Sequence, residues 1–248
     1  MLSFRKKHIE EKGMIETGIP ELDESLGGGI KKGSNIMLIG PPMSRKEVIL
    51  NQIMYHGATK NENAVIAVST CETGIHALEW FEENKLVLPL SRIGIVDCIA
   101  KMVGDFDNNN GIDCSDNIKT VDHPVDLTGI GVRISQFFEE YSMIKNIQKV
   151  QLCINSLSML LVYSNIRTVY RFLHVFTRRI KEAGGLGVYV MESGIHDMGS
   201  IATLSQLFDG IIEVKSENDR NFLRAVGLSP KPTHWLEYEI DGASIRVL

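Results

Sequence analysis

The stretch TGIPELDESLGGGIKKGSNIMLIGPPMSRKEVIL, Thr17 to Leu50, decides how this chain folds. Its centre, NIMLIG (Asn35 to Gly40), is almost continuously apolar, which predicts a strand buried on both faces. The chain then turns at Gly40-Pro41-Pro42 and enters a run with helical spacing, Glu47 to His56. Strand, glycine turn and helix form the frame of a phosphate-binding loop, G-x-x-x-x-G-K-[S/T], and Gly40 and Lys46 stand at its spacing. Other working positions are exchanged. Met43 and Arg45 stand where glycine lets the backbone approach phosphate closely, and Glu47 replaces the hydroxyl residue.

Beyond this stretch the same alternation continues. AVIAVS (Ala64 to Ser69), RIGIVDC (Arg92 to Cys98), VQLCIN (Val150 to Asn155) and LGVYVM (Leu186 to Met191) read as further buried strands. Ile75 to Glu83, Gly129 to Ile144 and Ile166 to Ala183 read as helices between them. This order predicts an α/β fold with a mainly parallel sheet flanked by helices. After Asp209 come short runs, GIIEVKS, FLRAVGL, HWLEYEI and SIRVL, with turns at Glu217 to Arg220 and Asp241-Gly242. They predict an antiparallel C-terminal edge. Residues 15–248 then form one domain behind an N-terminal segment, residues 1–14. Lys101 to Pro124, rich in Asp, Asn and Gly, reads as a loop. Its DFDNNNGID resembles a calcium loop, but the glycine comes one place late and no helices flank it.

Composition narrows the class. The chain has 248 residues, 44% hydrophobic and 23% charged, with a formal net charge of -5, so one large core is affordable and a dedicated nucleic-acid coat is disfavoured. No 18-residue apolar run is present, so no membrane insertion is expected. The charged start, MLSFRKKHIEEKG, lacks the apolar core of a secretory signal, and a cytoplasmic location is expected. Cys71, Cys98, Cys114 and Cys153 form no C-x-x-C pair, which fits small hydrophobes in a reducing compartment better than a zinc site, and no metal site is expected.

Thr17 to Pro42 resembles the entry to the RecA-like ATPases of the KaiC group, with T-G, L-D and L-G-G-G-I followed by a glycine, a strand and the loop. VQLCINSLSMLL resembles the Walker B strand of that group, LFDGIIEV a later strand, and HWLEYEIDGASIRVL its closing hairpin. The resemblance runs from about Ile15 to the C-terminus and is nearest to archaeal KaiC-like paralogues.

The resemblance implies ATP and Mg²⁺ as ligands and assigns each position a role. In such a loop (here Gly40, Pro41, Pro42, Met43, Ser44, Arg45, Lys46 and Glu47) the backbone wraps phosphate, the lysine reaches it and a hydroxyl holds Mg²⁺. A carboxylate ~4 Å from one phosphate charge costs about 4 kcal/mol at an effective dielectric of 20, so Glu47 opposes binding unless it ligates the metal or pairs with Arg45 or Lys46. The Walker B aspartate is Asn155, which lacks its charge. The water-activating glutamate falls at Cys71 or at Glu72, and one sequence does not choose between them; Glu72 is the remaining candidate base. The K-x-R cations offered to a neighbouring subunit align with Gly227 and Ser229, or with Lys231 after a small shift. Glu192 stands at the polar sensor position.

The leading expectation is therefore a pseudo-ATPase, a KaiC/RecA-like domain kept as a regulatory or protein-interaction module. No cofactor is assured, and any ATP/Mg²⁺ binding is expected to be weak. The alternatives are an ATP-binding switch with slow or no hydrolysis, and a DNA-binding recombination accessory protein. A protein partner or a homo-oligomer is expected, with nucleic acid as the lesser partner. Arg167, Arg171, His174 and Arg178 recur at i, i+4, i+7 and i+11, so they form one stripe, a solvated face or a partner surface. Val169, Phe172, Leu173, Phe176 and Ile180 form the opposite, buried face.

Overall fold

The computed structural model describes residues 13–104 and 116–248. Most of the N-terminal segment, the calcium-loop-like run Asp105 to Asp113, and Cys114 lie outside them. The chain opens with β1 (Met14–Ile15), α1 (Pro20–Ser25), β2 (Ile30–Lys31), β3 (Ser34–Gly40), α2 (Lys46–Thr59) and β4 (Ala64–Ser69). It continues through α3 (Gly74–Glu83), β5 (Ile93–Asp97), α4 (Ala100–Val103), β6 (Ile118–Thr120), α5 (Leu127–Glu139) and β7 (Val150–Ile154). It closes with α6 (Leu157–Tyr163), α7 (Ile166–Ala183), β8 (Leu186–Glu192), α8 (Met198–Ser205), β9 (Gly210–Glu217), β10 (Arg220–Val226), β11 (Leu236–Asp241) and β12 (Ser244–Val247).

Ten strands form one sheet in the order β12-β11-β10-β9-β3-β8-β7-β4-β5-β6. All pairs from β9 to β6 are parallel, and β9 to β12 pair antiparallel. The near-continuous apolar runs have the reason the sequence suggests: both faces of the parallel part are covered. Ile36, Leu38, Val65 and Ala67 point to one core with Ile49 and Ile53 of α2. Met37, Ile66, Val68 and Tyr189 point to the other, with α5, α6 and α7. β3 and β4 are consecutive, yet β8 and β7 lie between them. That crossover sets the carboxyl ends of β3, β8, β7 and β4 side by side, on the edge of an open parallel sheet where ligands bind.

The entry motif is a knot of backbone bonds. The Asp23 carboxylate, buried, accepts from Thr17 N–H at 2.9 Å, Thr17 Oγ1 at 2.9 Å and Gly18 N–H at 3.2 Å. Its carbonyl accepts from Gly28 and Gly29 N–H at 2.8 and 3.1 Å. Gly29 has φ +113°, and a Cβ there would lie 2.4 Å from the Ile15 carbonyl oxygen, so only glycine fits.

Four expectations need correction. Lys101 to Pro124 is not all loop: α4 reaches into it, and Ile118–Thr120 is the edge strand β6, parallel to β5. The three-residue strand is too short to show a period, and is held by Asn117, whose amide donates to the carbonyls of Leu90 and Ile93. GIIEVKS pairs antiparallel with β10 but parallel with β3, because α8 carries the chain back to the amino end of the sheet. The α-helix expected to Ile144 ends at Glu139 and continues as a π-helical turn, Glu140–Ile144. The short helices α1, α6 and α8 have no counterpart in the sequence reading; α6 and α8 are capped by Ser156 and Asp197, which accept from Met159 and Ser200 N–H.

Candidate functional site at the carboxyl ends of the strands

Gly40 ends β3 against the sheet: a Cβ there would lie 3.0 Å from Val214 Cβ and 3.1 Å from Ser44 Oγ. The loop that follows keeps a glycine-like backbone without the glycines. Met43 has φ 61° and Arg45 φ 54°, both left-handed, at a cost of roughly 1–2 kcal/mol each. Met43 is 94% exposed, so nothing packs on its side chain to repay that strain. Arg45 is the residue before α2 and caps it with no side-chain bond. Pro41 is half-buried and Pro42 exposed, while Ser44 Oγ is buried without a hydrogen-bond partner among the described residues.

Lys46 turns inward and is 1% exposed. Its Nζ donates to the Pro41 carbonyl at 3.3 Å and lies 3.5 Å from Glu192 Oε1 and 3.7 Å from Glu47 Oε1. Glu47 thus pairs with Lys46, one of the partners its charge required, but it is 57% exposed and water screens the pair. Glu192, 19% exposed at the end of β8, is the better-fixed partner. Its Oε2 accepts from Ser156 Oγ at 3.3 Å, and its N–H donates to Ser158 Oγ at 3.2 Å. Ser193 N–H, next in the chain, donates to the Gly40 carbonyl at 2.8 Å and ties this strand end to the loop.

Asn155 follows β7, and its carboxamide is turned towards β4. Oδ1 accepts from Thr70 N–H at 2.9 Å and from Thr70 Oγ1 at 2.8 Å, while Nδ2 donates to Ser69 Oγ at 3.4 Å. Both lone pairs of the oxygen are therefore committed to protein donors. Ser69 and Thr70 were not read from the sequence as site residues; their signal is two hydroxyls directly after the apolar run AVIAV.

Cys71 and Glu72 both lie at the mouth beside β4, exposed. Partial burial of the Glu72 carboxyl raises its pKa; nearby His76 opposes the shift and Glu47 adds to it. Partial burial also raises the Cys71 thiol, whose Sγ lies 3.7 Å from Thr70 Oγ1. The positions aligned with the cations offered to a neighbouring subunit lie elsewhere on the chain, as that role requires. Gly227, at φ +81°, lies beside the Asp209 carbonyl at the start of β9, and Ser229 Oγ donates to the Lys231 carbonyl; this is the end of the sheet opposite Gly40. Arg167, Arg171, His174 and Arg178 are all exposed on α7. Arg178 pairs with Glu182 at 3.3 Å. Among the described residues, no group of three or more His, Cys, Asp or Glu is placed to hold a metal ion.

The model of one protein family, described as a family of unknown function (DUF7504), matches residues 33–214, from β3 to β9. The chain belongs to that family. Two curated relatives of this DUF7504 chain are DNA repair proteins RadA. The one from Haemophilus influenzae is 30% identical over 111 residues, 45% of this chain and 22% of its own length. The one from Synechocystis is 29% identical over 109 residues, 44% of this chain and 20% of its own. The chain therefore spans about a fifth of the curated relatives it matches. The crystal structure of a KaiC-like protein from the hyperthermophilic archaeon Pyrococcus horikoshii superposes with a TM-score of 0.67 at 16% identity, covering 95% of this chain and 98% of that one. The DUF7504 fold here is thus the RecA-like, KaiC-like α/β fold, with its parallel sheet and antiparallel C-terminal edge.

Proposed function

We propose that this chain is a catalytically degenerate KaiC/RecA-like domain, a pseudo-ATPase acting in the cytoplasm as a regulatory or protein-interaction module. The observation that carries the reading is the commitment of Asn155: its oxygen is filled by Thr70, and it brings no charge to the place where a metal-organising carboxylate is expected. Glu47 supports it, because it removes the hydroxyl ligand and sets a negative charge beside Lys46. These residues do not fit Mg²⁺-ATP as a phosphoryl-transfer site. What remains is a rigid scaffold, with exposed Met43 at its mouth and the α7 stripe on its flank as surfaces for a protein partner or a second copy.

The experiment is a calorimetric titration of the purified protein with ATP, with and without Mg²⁺. Weak or absent binding is the expected result. Micromolar or tighter Mg²⁺-ATP binding would move the assignment to a nucleotide switch without turnover. That second reading has its own support, the left-handed backbone kept at Met43 and Arg45. A nucleic-acid role draws on the names of the RadA relatives and on the α7 stripe. A salt-dependent shift of labelled DNA, lost on removing Arg167 and Arg171, tests it.

A further inference from the structure

We infer that Glu192 is an internal anion that latches Lys46, so that the loop is closed by a removable contact and not by loss of its cation. The two residues are far apart in the chain and meet only because β8 lies beside β3 in the sheet. Both Glu192 carboxylate oxygens are engaged, Oε1 by Lys46 Nζ at 3.5 Å and Oε2 by Ser156 Oγ at 3.3 Å. Ser156 also caps α6, so the turn between β7 and α6 sets the direction of the carboxylate. Lys46 is almost wholly buried, and a buried cation that loses its partner is costly. Glu47 is too exposed to replace Glu192 fully. When Glu192 is withdrawn, Lys46 becomes a site for a compact polyanion. This rests on the reading of the loop as internally bonded. It concerns what holds Lys46, whereas the degenerate-enzyme reading concerns hydrolysis.

The test uses inorganic pyrophosphate in excess chelator, so that neither metal nor nucleotide enters. Glu192→Gln removes the charge and keeps the shape; Glu192→Asp keeps the charge but draws it back by one methylene. Binding of pyrophosphate by calorimetry is expected to tighten about tenfold in Glu192→Gln, and by less in Glu192→Asp. The Tm of Glu192→Gln should fall below that of the parent and recover with pyrophosphate. The double variant Lys46→Met/Glu192→Gln should lose the gain. Equal affinity in the parent and both variants, or a gain that survives Lys46→Met, overturns the latch. If Glu192→Gln does not fold, the same comparison between Glu192→Asp and the parent decides. Mg²⁺-dependent ATP turnover by the parent would overturn the pseudo-ATPase reading and leave this pyrophosphate comparison intact.

Discussion

Thr17 to Gly29 and Gly40 to Glu47 are separated only by β2 and β3, yet they use their polar residues in different ways. In the first, the polar residues close the turn: Asp23 takes the N–H groups of Thr17 and Gly18, and Gly29 stands where the Ile15 carbonyl leaves no room for a Cβ. In the second, the backbone is left-handed at Met43 and Arg45, while of the side chains that suit such a loop only Lys46 stays. The loop's lysine is bound by carboxylates of its own chain. Residues that hold the scaffold together and residues that serve phosphate chemistry are thus separable within one short stretch.

The largest effect should come from the first region. Asp23→Ala leaves the buried N–H and hydroxyl of Thr17 without their acceptor, and is expected to cost about 3 kcal/mol in urea unfolding. A cost as small as a surface substitution would show that the knot is dispensable and break the contrast.

Asn155→Asp sharpens the other side. The Thr70 donors still find an oxygen, but Ser69 Oγ, which already donates to the Glu72 carbonyl, would then face a second acceptor. A loss of about 1.5 kcal/mol is expected by urea unfolding. No ATP hydrolysis should appear, because Glu47, Met43 and Arg45 remain.

Much of this difference is legible in the sequence, and part of it is not. The five strands β3, β4, β5, β7 and β8, and α7, can be read because each buries a continuous or one-sided apolar pattern, as in Val169, Phe172, Leu173, Phe176 and Ile180. β6 cannot, since its three residues pair with β5 through the backbone, beside a contact of the Asn117 side chain, and are too few to show a hydrophobic period. The exchanges at Met43, Arg45, Glu47 and Asn155 are visible as letters. Their consequence is not, because Glu192 reaches Lys46 and Thr70 reaches Asn155 only through strand order.

The smallest effect has the opposite sign. Arg45→Gly relieves a left-handed residue that no side-chain bond supports, so stability should rise by about 1 kcal/mol by the same unfolding measurement. A loss would mean that the Arg45 side chain contributes something its cap geometry does not show. Adding Met43→Gly and Glu47→Thr should then return some ATP affinity with little hydrolysis while Asn155 remains.

The most direct measurement is steady-state ATP hydrolysis by the unmodified protein with excess Mg²⁺, run beside Lys46→Ala. The expected result is release of phosphate at the no-protein background in both. Steady turnover by the unmodified protein that disappears in Lys46→Ala would contradict the central claim, since it would show that this loop still performs phosphoryl transfer with Glu47 and Asn155 in place.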